Sequence, residues 1–146
     1  MSDIQAAIGV IQLEKLEKVI ERRRKLAEIY HKIMNDLLPH VKPFKERDGS
    51  RSTYQSYVVR LPNEFGKYQQ AIIAHMREKY SIEVQIGTYA LHLEPAFRRF
   101  VGNSTLKISE ALRSTTLTLP LYESLEEEDI EYIVHALASI YKVFSS

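Results

Sequence analysis

The chain has 146 residues, 45% of them hydrophobic, and a formal net charge of +1. That is chain enough for one core, and a charge too balanced to draw it to nucleic acid, anionic lipid or acidic proteins. It contains no cysteine, which excludes disulfides, thiolate metal sites and a cysteine nucleophile and suits a cytoplasmic home. No run of about 18 apolar residues exists for a membrane span, and the N-terminus lacks the basic stretch and small-residue cleavage site of a signal peptide.

Ser2 to Leu38 reads as one long helix. Ser2-Asp3-Ile4-Gln5 has the form of a capping box, and Pro39 supplies the stop. From Leu16 onward, Leu16, Val19/Ile20, Ala27, Tyr30, Ile33/Met34 and Leu37 recur at helical spacing, as on a helix lying against a core. The first half is apolar on every face (Ile4, Ala6, Ala7, Ile8, Val10, Ile11, Leu13), and such a helix needs cover all round. A helix of this length spans roughly 55 Å, whereas a compact domain of this size is only about 40 Å across. Part of the helix is therefore expected to overhang or to be covered by something outside the chain. Gly9, costly in a helix interior, points to close approach of another backbone.

A proline- and charge-rich connection runs from Pro39 to Ser52. Thr53–Leu61 reads as a strand ended by Pro62-Asn63, Phe65–Tyr80 as a helix, and Ile82–Ile86 as a half-buried strand. Gly87–Gly102 is irregular. Ser104 is placed to cap a short helix to Arg113, and Leu117, Leu119 and Leu121 alternate as a last strand with Pro120 at a sheet edge. Ser124-Leu125-Glu126-Glu127 forms a second capping box before a helix striped by Ile130, Ile133/Val134, Leu137 and Ile140. The expectation is a single α+β domain: a small antiparallel or mixed sheet of about three strands, helices on one face, and the long helix (1–38) preceding the α/β layer (53–146).

Few residues carry chemistry of their own. Arg22-Arg23-Arg24-Lys25 is offset by Glu14, Glu17, Glu21 and Glu28 and reads as a solvated helix face with intrahelical pairs, not a phosphate grip. The five histidines have no metal-binding spacing, and the scattered glycines form neither a P-loop nor a dinucleotide fingerprint. His92-Leu93-Glu94 has the spacing of a zinc deaminase motif without its cysteines. His92 stands out because it lies in the weakly charged irregular segment, where loops supply ligand contacts. The lysines all fall on charged helix faces or polar connections, none with the desolvated setting that depresses an amine for imine chemistry.

Met1-Ser2-Asp3-Ile4-Gln5-Ala6-Ala7-Ile8-Gly9, with Gln12–Leu16 and Arg22-Arg23, resembles the helix that opens the C-terminal part of DegT-type sugar aminotransferases. These are pyridoxal-phosphate (PLP) enzymes of the aspartate aminotransferase fold, type I. Leu91-His92-Leu93-Glu94-Pro95-Ala96-Phe97 resembles the family's H-L-Q-P-A-Y/F segment, and Leu117–Tyr122 with Glu127-Glu128-Asp129-Ile130 its L-S-L-P-L-Y … E-E-D-I ending. Val84-Gln85-Ile86-Gly87-Thr88-Tyr89 departs from the family's V-H-Y-P, being one residue longer and lacking the first histidine.

The resemblance implies several things. The Schiff-base lysine, the aspartate facing the pyridine nitrogen and most phosphate contacts belong to the family's larger N-terminal domain, so this chain alone is expected to bind no PLP. An asparagine that reaches the neighbouring subunit's cofactor phosphate would precede Met1. His92 and Tyr89 would lie near the mouth of the active site as substrate contacts for a nucleotide-linked sugar. Asp3 and Gln5 would lie at the dimer interface near the cofactor, with no catalytic residue and no metal. Ile4, Ile8, Ile11 and Leu13 would meet a second copy or the lysine domain. The chain is then a truncated or split part of a sugar-biosynthetic aminotransferase, closing one wall of the active site, selecting substrate and not transaminating alone. The alternative is a non-catalytic interaction or dimerisation module descended from such an enzyme.

Overall fold

The computed structural model describes residues 1–101 and 105–145. Ser2 caps α1 (Asp3–Leu37) as its sequence requires: its hydroxyl accepts from Gln5 N–H at 3.3 Å while Gln5 Oε1 accepts from Ser2 N–H at 2.9 Å. At about 1.5 Å per residue the 35 residues reach about 52 Å. Only the second half is anchored, through the buried Leu26, Ala27, Tyr30 and Met34. No residue from Asp3 to Lys25 is fully buried, and Ile4 and Leu13 are 74% and 69% exposed. The apolar stripe thus meets the core later than Leu16, which is exposed. Among the described residues, the neighbouring turns of α1 aside, nothing comes within 4 Å of a Cβ built at Gly9, so none of them makes the close backbone approach expected there.

The remaining elements are β1 (Lys42–Pro43), β2 (Tyr57–Arg60), α2 (Gln69–Tyr80), β3 (Gln85–Ile86), α3 (Arg98–Val101), α4 (Lys107–Thr115), β4 (Thr116–Leu119) and α5 (Glu127–Ser145). The fold is α+β, with a four-stranded antiparallel sheet in the order β1-β2-β4-β3. The extra strand is β1, two residues of which one is Pro43, too short to read as a strand. β2 starts later than expected because Tyr54 adopts a left-handed φ of 44° and its N–H bonds to Ser52 Oγ. A 3₁₀ turn, Asn63–Tyr68, replaces the first turns expected of α2. β3 pairs only at Gln85 and Ile86, although Ile82 and Val84 are buried as their alternation demands. The cap expected at Ser104 lies outside the described residues. At α5, Glu126 N–H donates to the Asp129 carboxylate at 3.0 Å, so the reciprocal contact forms two residues beyond the one expected at Ser124.

Register explains the core. Tyr57 faces Leu119 and Val59 faces Leu117, which puts four buried side chains on one sheet face. They share one hydrophobic cluster with Tyr30 and Met34 of α1, Ile72 and Met76 of α2, and Ile130, Val134 and Leu137 of α5. Each such aliphatic side chain contributes roughly 1.5–3 kcal/mol on burial.

Arg22, Arg23 and Arg24 of α1 fasten loops to this core, and among the described residues their hydrogen bonds run to those loops and not along the helix. Arg22 Nη2 donates to Leu125 O at 2.6 Å, Arg23 Nε to Glu123 at 2.7 Å, and Arg24 Nη1 to Ser52 O at 2.8 Å as well as to Glu46. Glu17 is taken by Arg51 at 2.7 Å. A guanidinium presents several donors in a fixed fork, and half-buried loop carbonyls use it better than a neighbouring carboxylate on the same helix.

Candidate functional site

Beyond β3 the chain leaves the sheet edge at Gly87, whose N–H donates to Thr116 O at 2.9 Å. A Cβ there would lie 2.6 Å from Thr116 Cβ and 2.8 Å from Val58 Cγ1. No larger residue fits unless the strand moves. The segment then closes a 3₁₀ turn over Leu91–Leu93, with Leu93 N–H on Ala90 O and Glu94 N–H on Leu91 O. That turn directs His92 inward, 7% exposed, and leaves Tyr89 outward at 54%.

His92 Nε2 lies 2.9 Å from Glu110 Oε1 on α4, and the same oxygen accepts from Leu106 N–H at 3.0 Å. The hydrogen bond to His92 holds the Glu110 carboxyl below the usual carboxylate range, aided by the Leu106 N–H and by the imidazole's charge against partial desolvation. Among the described residues His92 Nδ1 is buried with no hydrogen-bond partner. Two residues on, Glu94 Oε1 faces Arg113 Nε at 3.9 Å. One face of α4 therefore presents Glu110 and Arg113, spaced i, i+3, to His92 and Glu94 of the loop.

Around this clasp the surface is apolar. Leu91, Leu93, Phe97 and Leu106 are exposed, and Phe100 and Ile108 are exposed at 72% and 79%. An open groove of about 760 Å³ lies between Thr88, Leu106 and the α4 residues Ile108 and Leu112. A contiguous exposed apolar surface of this kind marks a contact or ligand face.

Tyr89 and His92 thus share one loop, the first outside and the second within. Asp3 and Gln5 stand on the exposed end of α1, where Gln5 is occupied with capping. Among the described residues no hydrogen bond or ion pair joins either of them to the loop. Sequence reasoning missed Glu110. Its signal, an acidic residue in the first turn of α4, 18 residues from His92, has many ordinary explanations.

Covalent attachment of PLP asks for a desolvated amine. Every lysine of the chain is exposed, so these residues do not fit such an attachment. Among the described residues no cluster of three or more His, Asp or Glu is placed to hold a metal, and no helix is long and apolar enough to cross a membrane. The fold and loop present a sheet edge, a loop bonded to α4 through His92 and two exposed apolar faces.

The chain has counterparts among known proteins. The chain belongs to the DegT/DnrJ/EryC1/StrS aminotransferase family, which it matches over residues 1–138. It is a family of PLP-dependent aminotransferases. Over 145 residues it is 27% identical to the spore coat polysaccharide biosynthesis protein SpsC of Bacillus subtilis, covering 97% of this chain and 37% of SpsC. To a GDP-perosamine synthase of Escherichia coli O157:H7 it is 30% identical over 141 residues, covering 97% of this chain and 36% of that protein. PseC of Helicobacter pylori, an aminotransferase of pseudoaminic acid biosynthesis, shares the fold with a TM-score of 0.88 at 22% identity, over 99% of this chain and 38% of PseC. The chain spans less than two-fifths of the length of these relatives and corresponds to a C-terminal-type portion of a sugar aminotransferase.

Proposed function

We propose that the chain acts as the C-terminal domain of a PLP-dependent aminotransferase acting on a keto sugar carried by a nucleotide, in polysaccharide or related sugar biosynthesis in the cytoplasm. The family match across residues 1–138 carries this reading. Its task is to close one wall of the active site, select the sugar and supply dimer contacts. The lysine chemistry is provided elsewhere, and the exposure of every lysine here supports that division. Tyr89 and His92 serve the substrate side, while Asp3 and Gln5 lie near the cofactor at the subunit boundary. Ile4, Ile8, Ile11 and Leu13 are covered by a second copy or by the lysine domain. A fold relative, DesI, has been determined in the presence of its TDP-sugar product, which supports a nucleotide-linked substrate.

The same exposed apolar face of α1 also suits the second reading, a non-catalytic interaction module of the same descent. The coding DNA immediately upstream separates the two. A frame encoding a PLP-lysine domain supports the first reading, and a frame with none supports the second.

A further inference from the structure

We propose that Glu110 is the positioning residue of the substrate wall: it fixes His92 as the Nε2–H tautomer and thereby leaves Nδ1 as a buried hydrogen-bond acceptor. This rests on the reading of the 87–97 loop as part of that wall. Glu110 itself touches no reacting group and acts through His92.

The geometry allows one arrangement in the neutral ring. Glu110 Oε1 is 2.9 Å from Nε2, and an ionised carboxylate only accepts, so Nε2 must carry the proton. The same bond that makes this contact keeps Glu110 ionised. Nδ1 then holds a lone pair, and among the described residues nothing donates to it. Leaving a buried acceptor unmatched is unfavourable, and it persists here because the loop is held from two sides. Leu106 N–H anchors the Glu110 carboxylate at 3.0 Å, and Arg113 faces Glu94 at 3.9 Å. Rotating the 3₁₀ turn that contains His92 breaks its bond to Glu110 and separates Glu94 from Arg113.

The test is a long-range ¹H–¹⁵N correlation spectrum of the full chain at about pH 8, well above the usual imidazole pKa of about 6.5. His92 is expected to show a protonated Nε2 and a pyridine-like, unprotonated Nδ1. Glu110→Ala is expected to average the two nitrogens between tautomers and to speed amide exchange at Leu93 and Glu94 by roughly tenfold, the scale of a lost charge-assisted hydrogen bond. Glu110→Gln keeps an acceptor oxygen and is expected to restore both readouts, which a purely packing role would not require. A wild-type spectrum with Nδ1 protonated, or with averaged nitrogens, overturns the proposal. So does an alanine variant, folded by its Val59 and Leu117 amides, whose His92 resonances do not move. Should that variant not fold, the wild-type tautomer and the glutamine variant decide. If the chain proves not to serve an aminotransferase, the tautomer result stands unaffected, so the two failures are distinguishable.

Discussion

Tyr30 of α1 stacks on Tyr57 of β2, with ring centroids 4.4 Å apart and planes inclined by 18°. Its hydroxyl reaches across to donate to Pro120 O at 2.8 Å. This contact joins the buried stretch of the long helix to the sheet and to the turn that ends β4. Tyr30→Phe keeps the stack and loses the bond, an expected cost of about 1 kcal/mol. Tyr30→Ala also opens a cavity and is expected to cost about 3–5 kcal/mol. Denaturant midpoints for the two variants check both values.

The same pair sets an alkaline limit. Burial pushes both phenols well above their ordinary value, with the neighbouring Tyr122 adding to the effect at Tyr30 and Tyr30 adding to it at Tyr57. The folded state keeps protons that the unfolded chain releases above about pH 10. Stability should therefore be level below that pH and fall as pH rises through it. Tyrosinate absorbance is expected to lag behind that of free tyrosine until the fold is lost. Full ionisation of all tyrosines at the ordinary pH in a folded chain would contradict this.

On the acid side the informative group is His31. It packs against Tyr57 at 5.5 Å and Tyr54 at 6.2 Å, and its Nε2 is buried without a partner. Desolvation lowers its pKa, against weaker opposing pulls from Glu28 and Glu46. Because the fold favours the neutral ring, its contribution is complete above the unfolded value of about 6.5 and declines as pH falls below it. Stability measured between about pH 7 and pH 5 should show this slope, and His31→Phe should flatten it.

At Gly87 an added methyl group meets Thr116 and Val58 at under 3 Å. Gly87→Ala is expected to cost about 1–3 kcal/mol, the range for overpacking. It should also loosen the exit from β3, seen as faster exchange of the Gly87-position amide that bonds Thr116 O.

Local chemistry was readable in the sequence and long-range chemistry was not. The Ser2–Gln5 box and the alternation of Leu117 with Leu119 and of Ile82 with Val84 depend on near neighbours, and each places its residues as expected. The overhang of α1 followed from length against size, and the exposure of Ile4 and Leu13 agrees with it. The start of β2 did not follow, because Tyr54's left-handed backbone is held by a serine hydroxyl and by packing that no periodicity encodes. The run that includes Arg22 reads as a solvated helix face because acidic residues lie within a turn or two of it, whereas Arg22's partners lie 101 to 104 residues on. Of the site, His92 was visible from its segment, while Glu110 was hidden by the intervening chain.

The division of labour at the centre of this account is tested most directly by PLP itself. The purified chain is mixed with PLP, treated with borohydride and mapped for a modified lysine. With every lysine exposed, the expected result is no stable imine band and only sparse, scattered labelling. A clear imine band reduced stoichiometrically onto a single lysine would contradict the account, because the chain would then hold its own cofactor chemistry.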